Sequence, residues 1–235
     1  MAIKLIIFDF DGTLVDTALD ITVAANRLMS HYGLPPLTFD EVRTHIGHGF
    51  TPFIRKIADK EAKENKNETK PPALDLSQEV FDLFQKFYDE KLMPQTTFYE
   101  GAEKFLVDFQ NHPHTKIGIV SNKPEYQVRI ILKGLKVDES HLVQIYGGDT
   151  FEVKKPHPKP LQQMMSLANA RPKETVMIGD SQADIEAAKA AGTHFIAVSF
   201  GYNTVETLKS FGATNFIYHF DELVKSLESL GVALA

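Results

Sequence analysis

The chain has 235 residues, 43% hydrophobic and 24% charged, a balance that fits a folded globular protein of one large α/β domain or a core with a smaller insert. It has no cysteine, which excludes disulfides, thiolate metal sites and a cysteine nucleophile. Its net charge of -6 argues against an extended nucleic-acid surface while allowing a local basic pocket.

The first predicted element is Ile3 to Phe8, a nearly continuous apolar run rich in β-branched residues. Such runs read as strands buried on both faces of a parallel sheet. This run is too short for the apolar region of a signal peptide and ends at Asp9. No stretch approaches the roughly 18 apolar residues of a membrane span, so the expectation is a cytoplasmic protein with no membrane and no nucleic acid among its partners. From about Thr17 to Met93 no strand is evident. Helices are expected instead over Leu19–Tyr32, Phe39–His45, Phe50–Lys63 and Ser77–Leu92. Within this stretch Asp59 to Thr69 is highly charged and leads into Pro71-Pro72, which reads as a solvated helix end followed by a loop.

Strand-like runs resume at Lys116–Val120, Thr175–Ile178 and His194–Val198, with a weaker one at Asn215–Tyr218. Helices are expected over Glu125–Leu135, Pro158–Ala168 and Gln182–Ala191, the last stopped by Gly192. The alternation predicts a doubly wound parallel α/β sheet with right-handed crossovers. The expected division is a core of residues 1–16 and 94–235, with a helical domain of residues 17–93 inserted after the first strand.

In open α/β sheets ligands gather at the carboxyl ends of the strands. After the first run comes Asp9-Phe10-Asp11-Gly12-Thr13. Residues two apart on an extended chain face the same side, so Asp9 and Asp11 can share a site, and a hard divalent cation such as Mg2+ would relieve their repulsion. Gly12 permits a tight turn close to a phosphate. The same segment also reads as an acidic turn capping a helix through Asp16 or Thr17. The spacing does not fit a calcium loop, since the fifth and sixth positions from Asp9 are Thr13 and Leu14.

After Lys116–Val120 comes Ser121-Asn122-Lys123-Pro124, whose Ser121 and Asn122 can donate to phosphoryl oxygens or serve as a helix cap. Lys154-Lys155-Pro156-His157-Pro158-Lys159-Pro160 is a stiff loop that either holds one ammonium in place or forms a basic surface turn. His157 reads as a loop residue. After Thr175–Ile178 comes Gly179-Asp180-Ser181-Gln182-Ala183-Asp184, where Asp180 and Asp184 suit a metal or a helix N-terminus.

Taken in order, Asp9 to Thr13, Ser121-Asn122, Lys155 before Pro156, and Gly179-Asp180 with Asp184 resemble the four motifs of the haloacid-dehalogenase superfamily. The resemblance implies a Rossmann-like core, with the inserted helices as a cap of the C1 type. It also implies a Mg2+-dependent phosphatase acting on a small phosphorylated metabolite. Asp9 would be the nucleophile and Asp11 the general acid and base. Gly12, Thr13, Ser121, Asn122 and Lys155 would hold the phosphoryl group. Asp9, the Asp11 main-chain carbonyl and Asp180 would hold the metal, with Asp184 as a ligand or its support.

Asp11 favours phosphoryl transfer over dehalogenation, which has no leaving alcohol to protonate. The stretch Ile46-Gly47-His48-Gly49-Phe50 lacks the arginine of β-phosphoglucomutase-like mutases, so hydrolysis is expected. Val42 to Gly49, Lys154 to Pro158 and Ser199-Phe200-Gly201-Tyr202-Asn203 resemble phosphoglycolate phosphatases. Arg43, His48 and Arg55 are then the cap's candidate cations for a substrate carboxylate. Alternatives are hydrolysis of another small phosphate ester or pyrophosphate, a phosphomutase, and a non-enzymatic phosphate-responsive switch or binding module.

Overall fold

The structure, a computed structural model, describes residues 2–46, 54, 78–110, 112–229 and 233–234. Its centre is a six-stranded sheet, all parallel. In chain order the strands are β2 (Leu5–Phe8), β5 (Lys116–Val120), β6 (Leu142–Tyr146), β7 (Thr175–Gly179), β8 (His194–Val198) and β9 (Phe216–Ile217), and across the sheet the order is β6-β5-β2-β7-β8-β9. Two short pairs complete the strands. β1 (Ala2–Ile3) runs parallel to β10 (Ala233–Leu234), and β3 (Val15–Asp16) runs antiparallel to β4 (Thr97–Phe98).

The run read from Ile3 to Phe8 is divided at Lys4, and only Leu5 onward enters the main sheet. Leu5, Ile6, Ile7 and Phe8 are all fully buried, as a central strand covered on both faces requires. Alternation splits them. Leu5 and Ile7 join a core with Val120, Met164, Met177 and Ala187. Phe8 meets Phe105 edge-on, with ring centroids 5.7 Å apart, and lies near Phe220. Burying each such side chain is worth about 1.5–3 kcal/mol. Small residues bring helices close. A Cβ on Gly118 would stand 2.5 Å from Met164 Sδ, so the glycine leaves room for that side chain of the helix Lys159–Ala168 against β5.

Beyond the expected elements the structure has β6, the short strands β3, β4 and β10, and the helices Ala102–Phe109, Val205–Ser210 and Leu223–Ser229. β6 escapes a search for continuous apolar runs because it is an edge strand, half-buried at its start and interrupted by Gln144.

Residues group into two units, Met1–Asp16 with Thr97–Ala235, and Thr17–Thr96. In the second unit α1 (Ala18–His31) packs with α2 (Phe39–Arg43) and α3 (Gln78–Asp89). Thr38 opens α2 with a reciprocal capping box to Glu41. The buried Asp20 carboxylate accepts the Gln95 N–H at 3.1 Å and the Thr96 hydroxyl at 2.7 Å. The helix expected over Phe50–Lys63, the charged segment Asp59–Thr69, His48 and Arg55 lie outside the described residues, apart from Ile54. Among the described residues no helix is long and apolar enough to cross a membrane.

Candidate active site

Three strand ends meet at one place. β2 ends at Phe8 and delivers Asp9, β7 ends at Gly179 and delivers Asp180, and β5 ends at Val120 and delivers Ser121. β2 and β7 are hydrogen-bonded neighbours, and the Asp9 N–H continues their ladder by donating to the Ile178 carbonyl at 2.9 Å. The sheet order changes direction at this pair, where open α/β sheets leave a crevice for ligands.

After Asp9 the chain turns sharply. The Leu14 and Val15 N–H groups both donate to the Phe10 carbonyl, and the Gly12 N–H donates to Val15. Gly12 has φ +81°, and a Cβ there would stand 2.4 Å from Asp180 Oδ2. Only glycine satisfies both conditions. Thr13 is fully buried, and its Oγ1 has no hydrogen-bond partner among the described residues. The alternative of a capped helix is not realised at Thr17, which stands at the start of α1 without a side-chain cap.

Asp9 and Asp11 are each matched to a buried lysine. Lys155 Nζ lies 2.8 Å from Asp9 Oδ1 and 2.6 Å from Asp184 Oδ1, with no exposed side-chain surface. Lys123 Nζ lies 3.1 Å from Asp11 Oδ2, with the two side chains 5% and 10% exposed. The Lys155 loop is fastened by Asn122 Nδ2, which donates to the Lys155 carbonyl at 3.0 Å. Ser121 is buried, and its Oγ accepts the Lys123 N–H at 3.2 Å. His157 is exposed, and its Nδ1 accepts the Lys159 N–H.

Asp184 has two sets of partners. Its Oδ2 accepts the N–H and hydroxyl of Ser181, closing a capping box on the helix Gln182–Ala191, while Oδ1 holds Lys155. Asp180 is clamped from the loop after β8. The Tyr202 N–H donates to its Oδ2 at 2.6 Å, and Asn203 Nδ2 donates to its carbonyl at 3.0 Å. The Tyr202 hydroxyl reaches Asp16 Oδ1 at 3.2 Å. Gly201 makes the approach possible, since a Cβ there would stand 2.4 Å from Asp180 Cβ and from the Gly12 carbonyl.

Burial pushes the Asp9 carboxyl up to about 7, helped by the neighbouring charge of Asp184 and only partly opposed by Lys155. Burial, with Asp184 and Asp9, raises Asp180 well above the carboxylate range. Burial works against the Lys155 ammonium, but Asp184 and Asp9 outweigh it, and its pKa rises.

Carboxylate oxygens of Asp9, Asp180 and Asp184 lie within 4.8 Å of one another. Asp180 Oδ1 is buried without a hydrogen-bond partner among the described residues. Repelling, desolvated carboxylates with an unmatched inward oxygen suit a hard divalent cation. Both Asp184 oxygens are already engaged by Lys155 and Ser181, which fits support of the site better than direct ligation.

The predicted residues Asp9, Asp11, Gly12, Thr13, Ser121, Asn122, Lys155 and Asp180 thus lie on these converging loops, and Asp184 in the first turn of the helix Gln182–Ala191. Arg43, partly buried, is the last residue of α2 in the second unit. Two residues escaped notice as site members. Lys123 stands between Asn122 and Pro124, three residues beyond the end of β5, and a cation that close to a core strand is the available signal. Tyr202 acts through its backbone N–H, which no side-chain pattern reveals.

Comparison with known proteins agrees with this geometry. A family model for "Haloacid dehalogenase-like hydrolase" matches residues 6–198. The "Phosphoglycolate phosphatase" of Photobacterium profundum is 34% identical over 224 residues, covering 94% of each chain. That of Colwellia psychrerythraea is 34% identical over 233 residues, covering 96% of this chain and 97% of the relative. A solved structure described as a "predicted phosphoglycolate phosphatase" from Haemophilus somnus superposes with a TM-score of 0.84 at 26% identity, over 95% of this chain and 97% of the other. The acid turn after β2, the buried lysine facing it and the family match over most of the sheet make this chain a member of the haloacid dehalogenase-like hydrolases.

Proposed function

We propose that this enzyme is a Mg2+-dependent phosphatase that converts 2-phosphoglycolate to glycolate and inorganic phosphate through an aspartyl-phosphate on Asp9. The observation that carries the reading is that two neighbouring carboxylates at one strand end, Asp9 and Asp11, are each held by a buried lysine, Lys155 and Lys123, so that a nucleophile and an acid stand side by side. The relatives named phosphoglycolate phosphatase, similar over nearly the whole chain, support the choice of substrate. A cytoplasmic setting and residues 17–93 as the cap belong to the same reading.

In the first half-reaction an Asp9 carboxylate oxygen attacks phosphorus. The bond from phosphorus to the substrate's alkyl oxygen breaks, and Asp11 gives that oxygen a proton as glycolate leaves. In the second, water attacks phosphorus and Asp11 takes its proton. The bond from phosphorus to Asp9 then breaks, and phosphate leaves with both aspartates restored. Thr13 Oγ1, Ser121, Asn122, the turn at Gly12 and the Lys155 ammonium hold the phosphoryl oxygens, and Lys155 keeps Asp9 oriented. Asp9, Asp180 and the Asp11 main-chain carbonyl would hold Mg2+, with Asp184 in support. When bound, the ion offsets negative charge on the phosphoryl group.

The test is phosphate release from 2-phosphoglycolate, sugar phosphates, nucleoside monophosphates and pyrophosphate, with Mg2+ and with EDTA. A Mg2+-dependent preference for 2-phosphoglycolate is expected. Preference for another ester would overturn the substrate assignment, and undiminished release in EDTA would overturn the metal.

A further inference from the structure

We propose that Lys123 reads the carboxylate of the substrate, so that selectivity for a phosphorylated hydroxy acid is built into the sheet-end loops themselves. The inference rests on the reading of Asp11 as the acid that meets the leaving oxygen.

An ammonium as buried as Lys123 is costly unless it is matched by opposite charge. Its backbone is held on both sides. The Lys123 N–H donates to Ser121 Oγ at 3.2 Å, and its carbonyl accepts the Gly148 N–H at 2.9 Å. Gly148 has no room for a side chain, since a Cβ there would stand 2.3 Å from the Asn122 carbonyl oxygen. Pro124 follows and opens the helix Glu125–Gly134. The Lys123 ammonium is therefore pre-positioned beside Asp11.

In 2-phosphoglycolate the carboxylate is one methylene group from the bridging oxygen. A cation in contact with the acid that protonates that oxygen is within reach of the carboxylate. Lys155 lies instead on the phosphoryl side of the site, between Asp9 and Asp184. Lys123 stands next to the reacting carboxylates, a place the sequence did not assign to it. An ester carrying a methyl group in place of the carboxylate would bring an apolar group against the ammonium, and sites built for a polar partner reject analogues lacking it.

The experiment compares kcat/KM for 2-phosphoglycolate and ethyl phosphate at saturating Mg2+ in the wild-type enzyme, Lys123→Gln and Lys123→Arg. The ratio of the two constants is expected to fall at least about tenfold in Lys123→Gln, mainly through KM for 2-phosphoglycolate, and to be largely restored in Lys123→Arg. An unchanged ratio, including an equal loss for both esters, would overturn the inference and leave Lys123 as a support for Asp11. Wild-type enzyme that does not prefer 2-phosphoglycolate would instead overturn the substrate reading, and the inference with it. Should Lys123→Gln not fold, calorimetric binding of 2-phosphoglycolate to Asp11→Asn and to the double variant Asp11→Asn/Lys123→Gln decides. Weakening of at least about tenfold is expected, and equal affinity would overturn the inference.

Discussion

Asp184 fixes Lys155: its Oδ1 accepts the ammonium at 2.6 Å, and neither side chain has exposed surface. Because Lys155 also meets Asp9, the position of the nucleophile depends on a residue at the start of another helix. Asp184→Asn keeps the shape and removes half of the counter-charge. It is expected to lower kcat about 10- to 100-fold with a smaller effect on KM, in line with losses of supporting partners at metal sites. Steady-state kinetics would check this, and a change confined to KM would contradict it.

Asp9→Asn removes the nucleophile and one counter-charge of Lys155, but burial and Asp184 already disfavour the ionised form of Asp9 and Asp184 still holds the ammonium. Turnover is expected to vanish, while the melting temperature of the metal-free protein stays level or rises. Calorimetry and a phosphate-release assay on one preparation measure both effects. Near-normal turnover would end the covalent mechanism.

The raised carboxyl groups set a pH dependence for the metal-free protein. The ordinary value for Asp9 is 3.8, and in the fold it stands at about 7, with Asp180 raised in the same direction. Between those limits the native state binds more protons than the unfolded chain, so this contribution lowers stability as pH rises from about 4 to 7. Mg2+ removes the mutual repulsion of the ionised forms. The rise in melting temperature on adding Mg2+ is therefore expected to be larger at pH 8 than at pH 5.5. Equal shifts at the two pH values would contradict the assignment of these groups to the ion.

Gly201→Ala tests the contact with Asp180. A Cβ would stand 2.4 Å from both Asp180 Cβ and the Gly12 carbonyl, so the acid turn and the Tyr202 loop must separate. A loss of about 1–3 kcal/mol is expected from such overpacking. Half-maximal activity should also require more Mg2+, because Asp180 is displaced. Denaturant unfolding and a Mg2+ titration of activity would show both, and wild-type values in each would refute the contact.

Much of this site was legible in the residues because its chemistry sits where a strand pattern stops. Ile3 to Phe8 reads as a buried run, and the first residue after it is Asp9. Thr175 to Ile178 likewise announces Asp180, and the four-residue step to Asp184 reflects a helix start. The less legible parts act through the backbone or through local disguise. Lys123 lies among residues that also make an ordinary helix entrance, so its burial against Asp11 could be seen only in three dimensions. Tyr202 holds Asp180 with an N–H that every residue but proline possesses. Leu142 to Tyr146 forms the sheet edge, where one flank lacks a neighbour among the described residues and the apolar run is broken.

The bonds from Asp20 to Gln95 and Thr96 bring together residues near the two ends of the Thr17–Thr96 segment. A stretch of chain whose ends are tied within itself can be exchanged as a module: its interior can lengthen, shorten or change character without altering the gap that the host fold must bridge. Changes inside the Thr17–Thr96 segment are thereby decoupled from the register of β2 and β5, so the strand-end residues can stay in place while the segment varies.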